Sequence, residues 1–234
     1  MAEEEPVFET TTGPPRIITA ASLFDGHDAA INVMRRLIQS AGAEVIHLGH
    51  DQSAKAVVDC AIQEDAHGVA LTSYQGGHVE YFTYIRQLLD EAGCEHIRIF
   101  GGGGGTITPP EIKTLHESGI SKIYSPDDGR TMGLMGMIHH LMGIASEVDL
   151  IHPDRIASLD GPVTPADTAK VGLLLTMSES ADDATFKATL DKCRSSTKEV
   201  PVIGFTGTGG AGKSSLLDEL MLRILRDNPG KKVC

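Results

Sequence analysis

Between Arg16 and Ala145 the chain alternates strand-like and helix-like segments five times, and this rhythm constrains its fold more than any other feature. Arg16-Ile-Ile-Thr-Ala-Ala21 reads as a first strand. In the helix after it, Ile31, Met34, Leu37, Ile38 and Ala41 recur at helical spacing, and Gly42 stands where a left-handed C-cap would end it. Residues 44–47 with a helix carrying Val57, Val58, Ala61 and Ile62 form the second repeat. Residues 68–72 with a helix carrying Phe82, Ile85, Leu89 and Ala92 form the third. The fourth strand, residues 97–100, leads to a helix whose start is marked by Thr108 as N-cap, Pro109 in the first position and Glu111 closing a capping box. Residues 120–124 precede a last helix through Leu134, Met135, Ile138 and Leu141. Strict alternation of this kind calls for a parallel sheet covered on both faces. A stretch of about 130 residues is too short for an eight-stranded barrel, which takes about 250. The expected fold is α/β, a flavodoxin-like doubly wound five-stranded parallel sheet.

The flanks divide differently. Residues 1–15, with Glu3-Glu4-Glu5, read as a disordered acidic tail, and residues 16–146 as the α/β domain. Residues 147–200 read as a linker punctuated by Pro153, Gly161-Pro162 and Pro165, with helical segments around 171–177 and 184–193. A new strand over 201–206 then opens a second domain. The chain stops at Cys234 as another strand begins at Lys232-Val233, an ending expected of a truncated domain.

Composition excludes several classes. A formal net charge of −12 disfavours binding to DNA or RNA, which rests on neutralising phosphates with Lys and Arg. Cys60, Cys94, Cys193 and Cys234 are scattered with no Cys-x-x-Cys pair, so neither a zinc cluster nor a disulfide framework is suggested. No run approaches the roughly 18 apolar residues of a membrane span, and the N-terminus lacks the regions of a secretory signal. The expectation is a cytoplasmic protein with no nucleic-acid or membrane partner.

Ligands of open parallel sheets bind outside the carboxyl ends of the strands. There the chain gathers Ser22-Leu-Phe-Asp-Gly-His-Asp28, Thr72-Ser-Tyr-Gln-Gly-Gly-His78, the run Gly101–Gly105 and Ser125-Pro-Asp-Asp128. Five consecutive glycines let a bulky ligand lie against backbone. A histidine that ligates a metal needs its second nitrogen tied down, and Asp25 is placed to do that for His27. A lone Asp-x-His is more often a solvated turn; its joint occurrence with Ser73 and the glycine run at matching strand ends is what points to a site.

These residues resemble the Asp-x-His…Ser…Gly-Gly signature of cobalamin-binding domains, as found in methylmalonyl-CoA mutase, glutamate mutase and methionine synthase. Two positions depart from it: Ala30 stands three residues after the histidine where glycine is usual, and the Ser-x-Leu element reads Ser73-Tyr74-Gln75. Ser-Tyr-Gln-Gly-Gly-His and the long glycine run resemble in particular the fused isobutyryl-CoA mutases, in which a cobalamin domain precedes a P-loop G-protein chaperone domain and a mutase barrel. The resemblance implies adenosylcobalamin bound base-off, with His27 coordinating cobalt in place of the cofactor's own base and Asp25 setting the imidazole tautomer. The nucleotide tail would thread between strands one and three, with Ser73 on its base and Gly101, Gly102 and Gly103 letting it pass. Gly26, Asp28, Gln75, Gly76, Gly77 and Ser125 complete the implied cofactor set, while His78 lies near that edge. The implied partners are a mutase barrel, as domain or subunit, that binds acyl-CoA, and a second copy in a full-length homodimer.

A second motif, Gly207-Thr-Gly-Gly-Ala-Gly-Lys-Ser214, matches the P-loop pattern between the strand expected at 202–206 and a helix carrying Leu216, Leu217, Leu220, Ile224 and Leu225. Gly207, Gly209, Gly210, Ala211, Gly212 and Ser215 would surround phosphate oxygens with backbone N–H groups. Lys213 would add charge, and Ser214 would ligate Mg2+. Residues 201–234 therefore read as the N-terminal fragment of a P-loop GTPase domain, with GTP implied by the resemblance. The carboxylate, water-positioning and base-reading elements of such a domain lie downstream, so this chain is expected neither to hydrolyse GTP usefully nor to bind it tightly. Catalytic residues of the mutase reaction are expected in none of these 234 positions.

Other readings meet specific obstacles. A receiver domain wants a phospho-accepting Asp at the end of strand three, where this chain has Thr72-Ser73-Tyr74. A flavin or dinucleotide domain wants a Gly-x-Gly-x-x-Gly turn after strand one, where Ser22–Asp28 is acidic. A corrinoid carrier or cobalamin sensor without mutase chemistry stays open, since a cobalamin domain alone does not specify the reaction. The neighbouring P-loop favours the mutase.

Overall fold

A computed structural model describes residues 6–194, 201–231 and 233. Five strands run parallel in the order β2-β1-β3-β4-β5: β1 (Arg16–Ser22), β2 (Glu44–Gln52), β3 (Gly68–Thr72), β4 (Arg98–Gly102) and β5 (Lys122–Tyr124). This is the flavodoxin-like order that the alternation calls for. β3 is buried along its whole length and β1 from Ile17 onward, because a parallel sheet is covered on both faces.

The helices are α1 (Asp28–Ser40), α2 (Ala54–Gln63), α3 (His78–Glu91), α4 (Pro109–Glu117) and α5 (Pro126–Ser146). On one face, Val57 and Ala61 of α2, Phe82, Ile85 and Leu89 of α3, and Leu115 of α4 pack against Ile18, Val69, Leu71 and Ile99. On the other, Ile38 of α1 and Ile138, Leu141 and Met142 of α5 pack against Ile17, Ala70 and Phe100. Neighbouring residues of β3 thus serve opposite layers, as strand geometry requires.

Local signals act as written. Gly42 has φ 100 just past α1, and the Glu111 carboxylate accepts from both N–H and hydroxyl of Thr108 at 2.8 and 2.6 Å. One helix departs from its pattern. Gly133 takes φ 68, ψ 174 inside α5, a conformation essentially confined to glycine. That break turns Leu134 and Met135 outward to about two-fifths exposure, while Ile138 and Leu141 stay buried.

Two parts of the chain differ in character from their expected roles. From the stretch read as an acidic tail, Phe8 packs against the α1/α5 layer, and residues 1–5 lie outside the described residues. The stretch read as a linker carries α6 (Pro153–Ala157), α7 (Thr168–Ser180) and α8 (Asp183–Cys193) around a small core of Leu159, Leu173, Met177 and Cys193. It is docked on the sheet domain: Arg155 pairs with buried Asp65 at 2.6 Å, and a Cβ on Gly172 would stand 2.9 Å from the Ile62 carbonyl oxygen. Residues 195–200 lie outside the described residues.

The chain divides into two units, Met1–Ser195 and Ser196–Cys234. In the second, α9 (Lys213–Asp227) forms, but the strand expected at 201–206 does not: residues 201–208 carry no regular structure, and Val202 and Ile203 are exposed. A strand needs a hydrogen-bonding neighbour, and the described residues of this unit contain no other strand. Of the strand read at 232–233, Lys232 lies outside the described residues and Val233 has no regular structure. Among the described residues no helix is long and apolar enough to cross a membrane.

Candidate functional site

The carboxyl ends of β1, β3, β4 and β5 form one edge of the first unit. His27 stands there as N-cap of α1, its side chain 62% exposed, while Asp25 is fully buried. The Asp25 carboxylate ties the edge together. Its Oδ1 accepts from the His27 backbone N–H at 2.9 Å and lies 2.7 Å from His27 Nδ1, and its Oδ2 accepts from the Tyr74 N–H at 2.6 Å. Burial alone would raise its pKa, but these hydrogen bonds outweigh burial and hold the carboxyl below the usual carboxylate range. A carboxylate at Nδ1 favours the tautomer whose Nε2 lone pair a metal can bind. Among the described residues no three His, Cys, Asp or Glu side chains converge, so His27 offers a metal one protein ligand.

At the same edge lies a cavity of about 260 Å3, which His27 does not line, although Tyr74, with its ring centroid 5.7 Å from that of His27, does. Ala30, Ile31, Met34 and Ile38 of α1 form one wall, Met137, Ile138 and Leu141 of α5 another, and Ala70, Thr72 and Phe100 the sheet side. Gly101, Gly102, Gly103, Ser125 and Tyr74 are also in the lining; no residue of β1 contributes, so the space lies over β3, β4 and β5. It is almost wholly apolar. Thr72 belongs to this lining, with its hydroxyl oxygen buried beneath the surface and without a protein hydrogen-bond partner. Ala30 shows where one departure from the cobalamin pattern falls, since its methyl group occupies a wall of this space.

The glycine run has two uses. A Cβ on Gly101 would overlap the Phe82 ring, and one on Gly103 would fall on the Ser73 carbonyl oxygen, so both are demanded by the protein's own packing. Together with Gly102 they also present bare backbone to the cavity. Gly26 and Gly76 have open space where a Cβ would go. Gly77 takes φ 82 as N-cap of α3, and Gln75, Gly76 and Gly77 are exposed and outside the cavity lining. Asp28 is an exposed acid in the first turn of α1. Ser125 caps α5, accepting from the Asp128 N–H at 3.2 Å.

Ser73 is buried, receives a hydrogen bond from the Ser22 hydroxyl at 2.9 Å, and does not line the cavity. The residue sequence reasoning missed is Thr72. Strand alternation accounts for it once the layers are known: Ala70 belongs to the α1/α5 layer and Leu71 to the other, so Thr72 returns to the α1/α5 side and Ser73 to the opposite one. Tyr74, whose ring centroid lies 5.7 Å from that of His27, was likewise passed over. His78 is buried within 3.2 Å of Glu111, which links the loops after β3 and β4.

The second candidate site stands by itself in the second unit. Gly210 and Gly212 take φ 76 and 77, and α9 starts at Lys213, so Ser214 and Ser215 lie in its first turn. Lys213 Nζ reaches back to the carbonyl oxygens of Gly207 and Thr208 at 2.9 and 2.8 Å. Gly209 and Ala211 lie within this exposed loop.

Residues 15–123 match the model of the B12 binding domain. The chain is 48% identical over 225 residues to a fused isobutyryl-CoA mutase of Geobacillus kaustophilus, covering 93% of this chain and 20% of that protein. Identity to the fused isobutyryl-CoA mutase of Cupriavidus metallidurans is 51% over 214 residues, covering 91% and 19%. Against the 2-hydroxyisobutanoyl-CoA mutase small subunit of Aquincola tertiaricarbonis it is 34% over 115 residues, covering 49% of this chain and 82% of the subunit. The chain thus spans about a fifth of the length of the fused relatives it matches.

Proposed function

We propose, from the premise that this chain belongs to the B12-binding domain family, that its first unit holds adenosylcobalamin base-off with His27 as the lower axial ligand of cobalt. One observation carries the reading: His27 Nδ1 is fixed at 2.7 Å by a buried carboxylate, at a sheet edge that also holds an apolar cavity. Adenosylcobalamin, when bound, supplies radical chemistry through its cobalt–carbon bond. The chain's part is to bind, orient and shield.

Asp25 fixes the imidazole tautomer and strengthens it as a donor. The cavity receives the displaced nucleotide base: its walls suit an aromatic ring system, and the Thr72 hydroxyl donates to a ring nitrogen. Gly101, Gly102 and Gly103 allow the tail against backbone, and Ser125 stands at the α5 side. Ser73 supports this wall through Ser22 and Gly102, whose carbonyl accepts from its N–H at 2.9 Å. Gly26, Asp28, Gln75, Gly76 and Gly77 shape the rim.

The reaction is an acyl-CoA carbon-skeleton isomerisation of the isobutyryl-CoA or methylmalonyl-CoA type. Its substrate is held by a barrel domain or subunit, within a homodimer. Support comes from relatives named as acyl-CoA mutases, one of them a separate small subunit. Residues 207–215 bind the phosphates of GTP with Mg2+ on Ser214, as the opening of a P-loop domain. The left-handed glycines and the position of Lys213 at the helix start favour this. The 234-residue chain shows no useful GTP turnover on this account, and measurable turnover overturns that part.

Spectrophotometric titration of the chain with adenosylcobalamin tests the cofactor reading. The bound form should lose the spectrum of benzimidazole ligation, and His27→Ala should bind about a hundredfold more weakly, the upper end of what a ligand's support alone is worth. Unchanged affinity and spectrum in the variant contradict it.

A further inference from the structure

Phe24 stands three residues before His27 with its side chain in solvent, 81% exposed, and with a backbone φ of 63. Each feature is unfavourable for phenylalanine, and the fold enforces both. The Asp25 N–H donates to the Ser22 carbonyl at 3.0 Å, closing a four-residue turn whose third residue, Phe24, is left-handed. Glycine or asparagine is the ordinary occupant of that place. A brace from the next strand holds the turn shut. The Phe24 N–H donates to Asp51 Oδ1 at 2.7 Å, Asp51 is itself left-handed at φ 57, and the Asp51 N–H reaches the Asp25 carbonyl at 3.3 Å. β2 shifts register against β1 between Thr19 and Ser22, which brings Asp51 to this point.

Strain that the surrounding structure over-determines, on a residue with no packing role, is characteristic of a ligand contact. The brace ends on Asp25, the carboxylate that fixes His27. Phe24 Cα lies within about 10 Å of His27 Cα along the chain, which puts the turn within reach of a macrocycle held at the His27 imidazole.

We propose that Phe24 is a corrin-contacting residue, its ring held out to cover the macrocycle beside the axial histidine. This rests on the cofactor reading above. It assigns the ring contact to Phe24 and leaves the nucleotide tail to the cavity at Thr72.

The test compares Phe24→Asn, which suits a left-handed backbone and removes the ring, with Phe24→Trp, which keeps an aromatic surface. Hydroxocobalamin and diaquocobinamide, which lacks the nucleotide tail, are titrated into the 234-residue chain and both variants, with His27→Ala in parallel and thermal melts of each. Phe24→Asn should melt no lower than the parent and bind both corrinoids about tenfold more weakly, the return from covering most of a phenylalanine ring. Phe24→Trp should bind both within about threefold of the parent. Unchanged affinity of Phe24→Asn for both corrinoids overturns the proposal, as does a loss confined to cobalamin. If His27→Ala weakens binding and Phe24→Asn does not, this inference fails alone; if His27→Ala binds as the parent does, the cofactor reading has failed.

Discussion

Thr72→Val should make the empty protein more stable and the cofactor complex weaker. Valine keeps the shape of threonine and replaces its hydroxyl with a methyl group. That hydroxyl is buried and has no protein partner, which costs about 1–3 kcal/mol in a dry interior. The lower end of that range applies to a single neutral hydroxyl. The variant should gain about 1 kcal/mol, or about 2–4 °C in Tm for a chain of this size. On the proposed cofactor reading the hydroxyl is the tail's polar partner, and its loss would leave a buried ring nitrogen unpaired at about 1–3 kcal/mol, roughly tenfold to a hundredfold in affinity. Thermal melts by circular dichroism and titrations with cobalamin and cobinamide read both effects. Cobinamide has no tail, so its affinity should not change. A lower Tm would refute the packing argument, and unchanged cobalamin affinity would refute the assignment of the cavity to the tail.

Within the glycine run, Gly103→Ala should cost at least about 2 kcal/mol because its Cβ falls on the Ser73 carbonyl oxygen, whereas Gly105→Ala, with open space, should cost less than about 0.5. Equal urea midpoints for the two would contradict the structure. Asp25→Asn should lose about 2–3 kcal/mol, since one amide cannot accept from both the His27 ring and the Tyr74 N–H, and should weaken cobalamin binding about tenfold to a hundredfold. Wild-type affinity in that variant would show that His27 needs no orienting carboxylate. His67 is buried and accepts from the Arg16 N–H through Nδ1 at 2.9 Å; burial first, and then the Arg16 charge, push its pKa down to about 4. The unfolded chain therefore takes up this proton near the ordinary histidine value while the native state resists it. Stability should be full above that value and fall by about 2 kcal/mol on going from about pH 7 to about pH 5. His47, His96 and His116 are shifted in the same direction, so the slope should shrink, not vanish, in His67→Gln, and an unchanged slope would exonerate His67.

The sheet was legible because burial on both faces leaves its mark in the strands and helical spacing in between. Ile18, Val69 and Ile99, with Phe82, Ile85 and Leu89 over them, declare their places by period alone. The Asp25–His27 pair was legible because its chemistry lies within three residues. What was not legible depends on partners distant in sequence. Whether Ser73 or Thr72 faces the cavity turns on which layer Ala70 joins, and that is settled by α1 and α5 packing against Ile17 and Phe100. The break in α5 was hidden for the opposite reason, since Gly133 sits in a run of helical spacing that continues past it. The docking of residues 147–194 rests on pairs distant in sequence, among them Arg155 with Asp65 and Thr11 with Asp149, and on the room left by Gly172. The strand at 201–206 shows the reverse failure: an apolar pattern is not a strand until something pairs with it.

Electron paramagnetic resonance of the reduced, cob(II)alamin form bound to the 234-residue chain tests the axial assignment most directly. The unpaired electron reports the nuclear spin of the nitrogen below cobalt. In protein grown with ordinary histidine each line should be a triplet, and in protein whose histidine carries the heavy nitrogen isotope it should become a doublet. Retention of the triplet in labelled protein would mean that the cofactor's own base still holds the cobalt, and the assignment of His27 would be wrong.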